Sequence, residues 1–92
     1  MLIRKSKKSI TDIENNLRLS ITQGSAFTPL SFIEQELIIA FYIRRGNVTN
    51  KELGVILNSS ESQIKGRMYS IFQKLEGVTT RTALLAFIED NI

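Results

Sequence analysis

The sequence predicts an all-α protein, and two observations carry this prediction. At four predicted helix starts a Ser or Thr is followed three residues later by Glu or Gln, which is the reciprocal arrangement that caps the first turn of a helix. These places are residues 11–14, 31–34, 49–52 and 60–63. Behind the caps, apolar residues recur at steps of three and four, the period of an amphipathic helix. The 92 residues suffice for a single hydrophobic core.

Residues 1–26 are predicted to form a basic N-terminal arm with one short helix that opens at Thr11. Four cations begin the arm: Arg4, Lys5, Lys7 and Lys8. Such an arm suits either an anionic partner or a solubilising tail. Five apolar residues follow in an otherwise polar stretch: Ile10, Ile13, Leu17, Leu19 and Ile21. They suggest that residues 9–26 supply an extra dimerisation or docking element beside the main domain, residues 27–92.

The first helix of the main domain is predicted to be buried, because residues 32–43 are mostly apolar. Their β-branched and aromatic side chains would also suit strands, but the length of the segment and its Ser31 cap favour a helix. Thr28 and Pro29 mark the turn before this helix, and Gly46 ends it.

A short helix, a turn at Asn58 and Ser59, and a longer helix over residues 60–75 follow. The apolar positions of the short helix are Leu53, Ile56 and Leu57. Those of the longer helix are Ile64, Met68, Ile71, Phe72 and Leu75. Gly54, which has no side chain, is expected to let the two helices approach closely. Gly77 ends the longer helix, and the last helix begins at Thr79 or Thr80.

This order of elements is the helix-turn-helix pattern, in which the second helix enters the major groove of DNA. The charge distribution agrees with it. Residues 44–81 hold seven Lys or Arg and three Glu, a net charge of +4, whereas the whole chain carries +3. A basic surface of this kind indicates an anionic partner.

Composition argues against an enzyme. The chain has no His and no Cys, so the commonest general base, the commonest transition-metal ligand and the nucleophilic thiol are all missing. We expect no cofactor, no metal and no small-molecule ligand.

The longest apolar stretch, residues 37–43, is too short to span a bilayer, and the first residues lack the apolar run of a signal peptide. A soluble, cytoplasmic protein without a membrane partner is therefore expected.

Residues 30–88 resemble the LuxR-type (GerE-like) DNA-binding domain of bacterial response regulators. Four family motifs occur in order: Leu-Ser-x-x-Glu at residues 30–34, Thr-Asn-Lys-Glu-Leu at 49–53, Ser-x-x-Gln-Ile-Lys at 60–65, and Gly-Val-x-x-Arg-Thr at 77–82. The loop after the first helix is longer than in the family, so Glu34 and Glu36 both fit the family's glutamate position, and Glu76 is an insertion. The resemblance implies a four-helix domain, here with a short N-terminal extension, that binds double-stranded DNA sequence-specifically and regulates transcription.

The resemblance also implies roles for single residues. The base-reading positions are Lys65, Gly66, Tyr69 and Ser70. The positions that hold the DNA backbone are Thr49, Asn50, Lys51, Ser62, Gln63, Arg67, Lys74 and Arg81. Lys65 is central, because a lysine there can donate to O6 and N7 of guanine. The last helix of the family forms the dimer contact, and its counterparts here either do the same or complete the core: Leu84, Leu85, Phe87 and Ile88.

The residues before Leu30 are too few for a receiver or ligand-sensing domain, so we expect a stand-alone regulator. It would act as a homodimer or as a heterodimer with a larger member of the family. Two alternatives stay open. The promoter-reading region of sigma factors has a recognition helix similar to residues 64–68, and a protein-binding adaptor that sequesters another transcription factor could use the same helices with negligible DNA affinity.

Overall fold

The computed structural model describes residues 10–92 and contains five α-helices within them. These are α1 (Ile10–Gln23), α2 (Phe32–Ile43), α3 (Asn50–Ile56), α4 (Glu61–Lys74) and α5 (Arg81–Asn91). A short 3₁₀ turn, Ser25–Phe27, joins α1 to α2. No strand occurs between residues 10 and 92, so the all-α class is confirmed. The four cations of the basic arm lie outside the described residues.

Three of the four predicted capping boxes are present, at the starts of α2, α3 and α4. The hydroxyls of Ser31, Thr49 and Ser60 accept hydrogen bonds from the backbone N–H three residues later, at 3.2, 3.0 and 3.1 Å. The Glu or Gln at that position accepts a 2.8 Å bond in return from the N–H of the capping residue. The fourth prediction is wrong, because α1 begins at Ile10 and Thr11 therefore lies inside the helix.

α1 is longer and more deeply packed than the sequence predicts. It runs for 14 residues and packs along α2. Leu17 and Ile21 are buried in the same core as the side chains of α2, whereas Ile13 and Leu19 remain about half exposed. Leu17 and Ile21 share one face because they are four residues apart, and these two large side chains dock the helix. They serve the chain's own core and are not free to form the extra dimerisation element.

α2 occupies the middle of the core. Leu37, Ile38 and Phe41 of this helix have no exposed surface. α4 packs on α2 and contributes Ile64 and Ile71, which are also fully buried. The apolar stripe predicted for α4 is confirmed, since its remaining members are buried or packed against the same core. One face of α4 is therefore fixed to the interior, which leaves the other face toward solvent.

α5 completes the core. It begins after Thr80, and its Leu84 and Ile88 have no exposed surface within the single chain. The ring of Phe87 meets Phe27 edge to face, with centroids 5.7 Å apart. A dimer contact needs accessible side chains, so for Leu84 and Ile88 the core alternative holds. Leu85 and Phe87 are only partly buried.

A tight turn joins α3 to α4. A Cβ on Gly54 would lie 2.5 Å from the carbonyl oxygen of Ser59, so only glycine lets the turn close at this point. The predicted close approach is therefore to the backbone of the turn and the start of α4. Leu53 is fully buried as predicted, but the prediction for Ile56 is wrong: it is 42% exposed. Ile56 lies at the edge of the stripe that Leu53 and Leu57 define on this short helix.

Candidate nucleic-acid interface

The outward face of α4 is exposed to solvent. Lys65, Gly66 and Tyr69 are exposed, and Tyr69 keeps 66% of its surface accessible. A Cβ built on Gly66 would meet no atom from elsewhere in the described chain within 4 Å. Ser62 joins this face, because positions three and four residues apart lie side by side on a helix. The structure thus brings together three of the four predicted base-reading residues.

An open surface groove of about 580 Å³ is lined by α3, the turn and the start of α4. Lys51 and Val55 line it from α3, while Glu61 and Gln63 line it from α4. Lys51 and Gln63 are exposed, and so is Thr49 at the start of α3. The carboxylate of Glu61 stabilises the positive end of the α4 dipole but would repel a phosphate. Three residues predicted to contact the DNA backbone are therefore accessible to solvent here: Thr49, Lys51 and Gln63.

Two predicted DNA contacts on α4 bind the protein's own glutamate instead. The Ser70 hydroxyl donates a 2.6 Å hydrogen bond to Oε2 of Glu34, and the Lys74 ammonium donates a 2.8 Å bond to Oε1. Glu34 is only 5% exposed. Ser70 therefore lies on the α2 side of α4 and does not share the outward face with Lys65 and Tyr69. The charge of Lys74 is already balanced by a carboxylate.

Arg67 and Arg81, which the resemblance assigns to DNA phosphates, also hydrogen-bond within the chain. Arg67 donates a 2.8 Å bond to the hydroxyl of Ser59 and so links α4 to the turn before it. Arg81 donates a 2.9 Å bond to the side-chain oxygen of Asn50 and a second bond to the carbonyl of Val48. These bonds use only part of the five donors that each guanidinium carries, so the remaining N–H groups can still reach a phosphate.

Glu34 is a buried carboxylate that stays ionised. Burial opposes its ionisation, but hydrogen bonds from Lys74, Ser70 and the N–H of Ser31 outweigh this and lower the pKa of Glu34 from 4.5 to about 2. The pKa of Glu52, the matching residue in the capping box of α3, is also lowered, chiefly by the backbone N–H of its capping partner. Both capping boxes therefore hold their glutamates as anions.

The sequence alone predicts no role for Glu34, since Glu36 fits the same family position. The structure separates the two: Glu34 reaches α4, whereas Glu36 pairs with Arg18 of α1. The capping box with Ser31 was a local signal for the place of Glu34 at the start of α2. Its partner Lys74 lies 40 residues away, and no local pattern predicts that contact.

Comparisons with known proteins identify no family. No protein-family model matches the chain, and no curated protein or solved structure matches it. Among residues 10–92, no group of acidic side chains is arranged to hold a metal ion. None of the helices in this part of the chain has the length and apolarity of a membrane span.

Proposed function

We propose that this chain is a transcription regulator that binds double-stranded DNA sequence-specifically, with α4 in the major groove. The observation that carries the proposal is the solvent-exposed outward face of α4. Lys65, Gly66 and Tyr69 lie on this face, while the opposite side of the helix is packed into the core. α3 and the tight turn present α4 at the surface, as a helix-turn-helix unit requires. The family resemblance of residues 30–88 supports the same assignment.

The outward face offers the chemistry that base reading needs. The major groove is about 12 Å wide and admits an α-helix. The ammonium of Lys65 can donate to O6 and N7 of guanine, and the phenol of Tyr69 can donate to or accept from a base edge. Gly66 leaves room for a base edge or a thymine methyl to approach the helix backbone. Together these three residues give one face of α4 the hydrogen-bonding groups and the space that are needed to distinguish base pairs.

Phosphate contacts would come from the rim of this face. Lys51 supplies a cation, and Thr49 and Ser62 supply hydroxyl groups. Gln63 uses its side-chain oxygen in the α4 capping box, so its amide nitrogen remains able to donate. Contacts of this kind set the register of the helix on the duplex, and their strength falls with salt because binding releases counterions.

The proposal includes a homodimer on DNA, because helix-turn-helix domains commonly bind paired half-sites. Leu85 and Phe87 of α5 keep part of their apolar surface accessible and are the side chains of the predicted dimer contact that remain for this purpose. Sedimentation of the protein with a bound duplex gives the stoichiometry. Two chains per duplex are expected, and one chain per duplex would contradict the dimer.

The decisive experiment is a fluorescence-anisotropy titration with a duplex that the wild-type protein has enriched from a randomised pool. A shuffled version of that duplex is the reference. We expect the wild type to prefer the enriched duplex and Lys65→Ala to lose roughly tenfold of this preference, the value of one good base contact. Arg45→Ala is the control, because it removes one exposed charge just after α2 that pairs with Glu89 of α5. No binding to any duplex at low salt would overturn the proposal.

A protein-binding adaptor is a second candidate, and an exposed apolar pair favours it. Phe32 is 71% exposed and Ile33 is 50% exposed. With Leu57 and Arg67 they border a cleft of about 360 Å³. Large apolar side chains grouped at the surface often mark contact sites. A folded wild-type protein that binds no duplex would favour this candidate over the DNA-binding one.

A further inference from the structure

We propose that Glu34 is a positioning residue that fixes the rotation of α4 about its own axis, and with it the direction of Lys65 and Tyr69. This inference rests on the proposed function, since it concerns how the DNA-reading face is aimed. Glu34 lies at the start of α2 and would touch no DNA. It would act through the two residues of α4 that it binds.

The contacts of Glu34 use both carboxylate oxygens. Oε1 accepts a 2.8 Å bond from the N–H of Ser31 and a 2.8 Å bond from the ammonium of Lys74. Oε2 accepts a 2.6 Å bond from the hydroxyl of Ser70. Ser70 and Lys74 are four residues apart and so share one side of α4. One buried side chain of α2 therefore holds α4 at two successive turns.

The hydrogen bonds to Glu34 can fix the rotation of α4 because they are directional. Apart from the bond of Arg67 to Ser59 in the preceding turn, the other buried contacts of α4 are made by apolar side chains such as Ile64, Met68 and Ile71. Apolar packing is non-directional and tolerates a small rotation, whereas a hydrogen bond weakens steeply when its angle changes. A rotation of about 20° moves the tip of a side chain that lies roughly 8 Å from the helix axis by about 3 Å. That displacement is the length of a hydrogen bond to a base.

Capping alone does not explain the burial of Glu34. Glu52 occupies the same place in the capping box of α3, yet it is exposed and its side-chain hydrogen bond stays within that box. Gln63 occupies the same place in α4 and is uncharged and exposed. A cap therefore needs neither burial nor a charge. A buried carboxylate is costly unless it is fully paired, and pairing with α4 is what distinguishes Glu34 from the other two.

The test compares Glu34→Gln with Glu52→Gln. Both variants lose one negative charge at the third position of a capping box, and Gln63 shows that glutamine supports the same cap. Only Glu34→Gln loses the ion pair with Lys74. Two quantities are measured for each: the preference for the enriched duplex over the shuffled one, and the amide resonances of Ser62 and Lys65, which lie on the exposed side of α4 at least five residues from Ser70.

We expect Glu34→Gln to bind the shuffled duplex as tightly as Glu52→Gln does, within about twofold, and to lose roughly fivefold or more of the preference for the enriched duplex. Its Ser62 and Lys65 resonances should shift, while those of Glu52→Gln stay at the wild-type positions. Unchanged preference, or a lost preference without shifted resonances, would overturn the positioning role. If Glu34→Gln does not fold, Ser70→Ala is judged by the same criteria, since it removes one contact and leaves the cap intact.

The proposed function and the positioning role can fail separately. If the wild type prefers one duplex and Glu34→Gln prefers it equally, the DNA-binding proposal stands and the role of Glu34 is overturned. If the wild type enriches no duplex, the DNA-binding proposal fails, and the resonances alone decide whether Glu34 orients α4. Shifted resonances would then support the orienting role, and unshifted ones would overturn it.

Discussion

The guanidinium of Arg81 donates a 2.9 Å hydrogen bond to the side-chain oxygen of Asn50, which joins the first residue of α5 to the first residue of α3. The same group donates to the carbonyl of Val48 and lies 5.1 Å from the ring centroid of Phe41. The family resemblance assigns Arg81 and Asn50 to DNA phosphates. In this structure the two side chains bind each other and so connect the start of α3 to the start of α5.

Arg81→Ala is expected to destabilise the protein by about 2 to 3 kcal/mol, because it removes two hydrogen bonds from a charged donor and a cation–π contact. Urea unfolding followed by circular dichroism measures this change. Arg45→Ala is the control. Its guanidinium pairs with Glu89 at 3.5 Å, donates a 2.8 Å hydrogen bond to the Tyr42 hydroxyl and lies 4.8 Å from the centroid of that ring. Arg45 is exposed, so the loss of these contacts should destabilise the protein by no more than about 1 kcal/mol. Equal unfolding midpoints for the two variants would contradict the structural role of Arg81.

Two glycines on neighbouring helices should respond to alanine with opposite signs. Gly66→Ala should stabilise the protein by about 1 kcal/mol, because the position is helical, exposed and open. Gly54→Ala should destabilise it by about 1 to 3 kcal/mol, because the new Cβ would lie 2.5 Å from a backbone carbonyl oxygen in the turn. Thermal unfolding of both variants checks the prediction. A Gly66→Ala variant that is less stable than the wild type would contradict the open geometry.

The starts of α2, α3 and α4 could be predicted because a capping box is contained in four consecutive residues. The exposed and buried faces of α4 could also be predicted from spacing, except at their border. Ser70 lies about 100° around the helix from Tyr69, so the pattern places it equally well on either face. Its actual direction depends on Glu34, which is 36 residues away.

The contacts between helices could not be predicted, because they depend on how the helices cross. α1 shows the same limit: Leu17 and Ile21 are its only residues that become fully or nearly fully buried among those whose side chains are described, and polar neighbours dilute their pattern. The sequence therefore indicated a short helix of uncertain purpose. Packing against α2 decides both its length and its place in the core.

Acid should destabilise the protein through Glu34. The pKa of Glu34 is lowered to about 2 in the fold, so its contribution is fully present above its ordinary pKa of 4.5 and is lost as the pH falls from there through about 2. The contribution at neutral pH is on the order of 3 kcal/mol. Urea unfolding at several pH values measures it. Glu34→Gln should flatten the stability profile between about pH 5 and pH 2, and an unchanged acid slope would contradict the pairing with Lys74.

The salt dependence of DNA binding should distinguish Lys51 from Lys74, which is paired with Glu34. Lys51 is exposed beside the groove between α3 and α4, so Lys51→Ala should reduce the slope of log K against log salt concentration by about 0.9 for double-stranded DNA. Lys74→Ala should leave the slope unchanged, because the ammonium of Lys74 binds Glu34 rather than a phosphate. Anisotropy titrations at several salt concentrations, below the unfolding temperature of both variants, measure the slopes. If Lys74→Ala lowers the slope as much as Lys51→Ala, Lys74 leaves Glu34 for a phosphate when DNA binds.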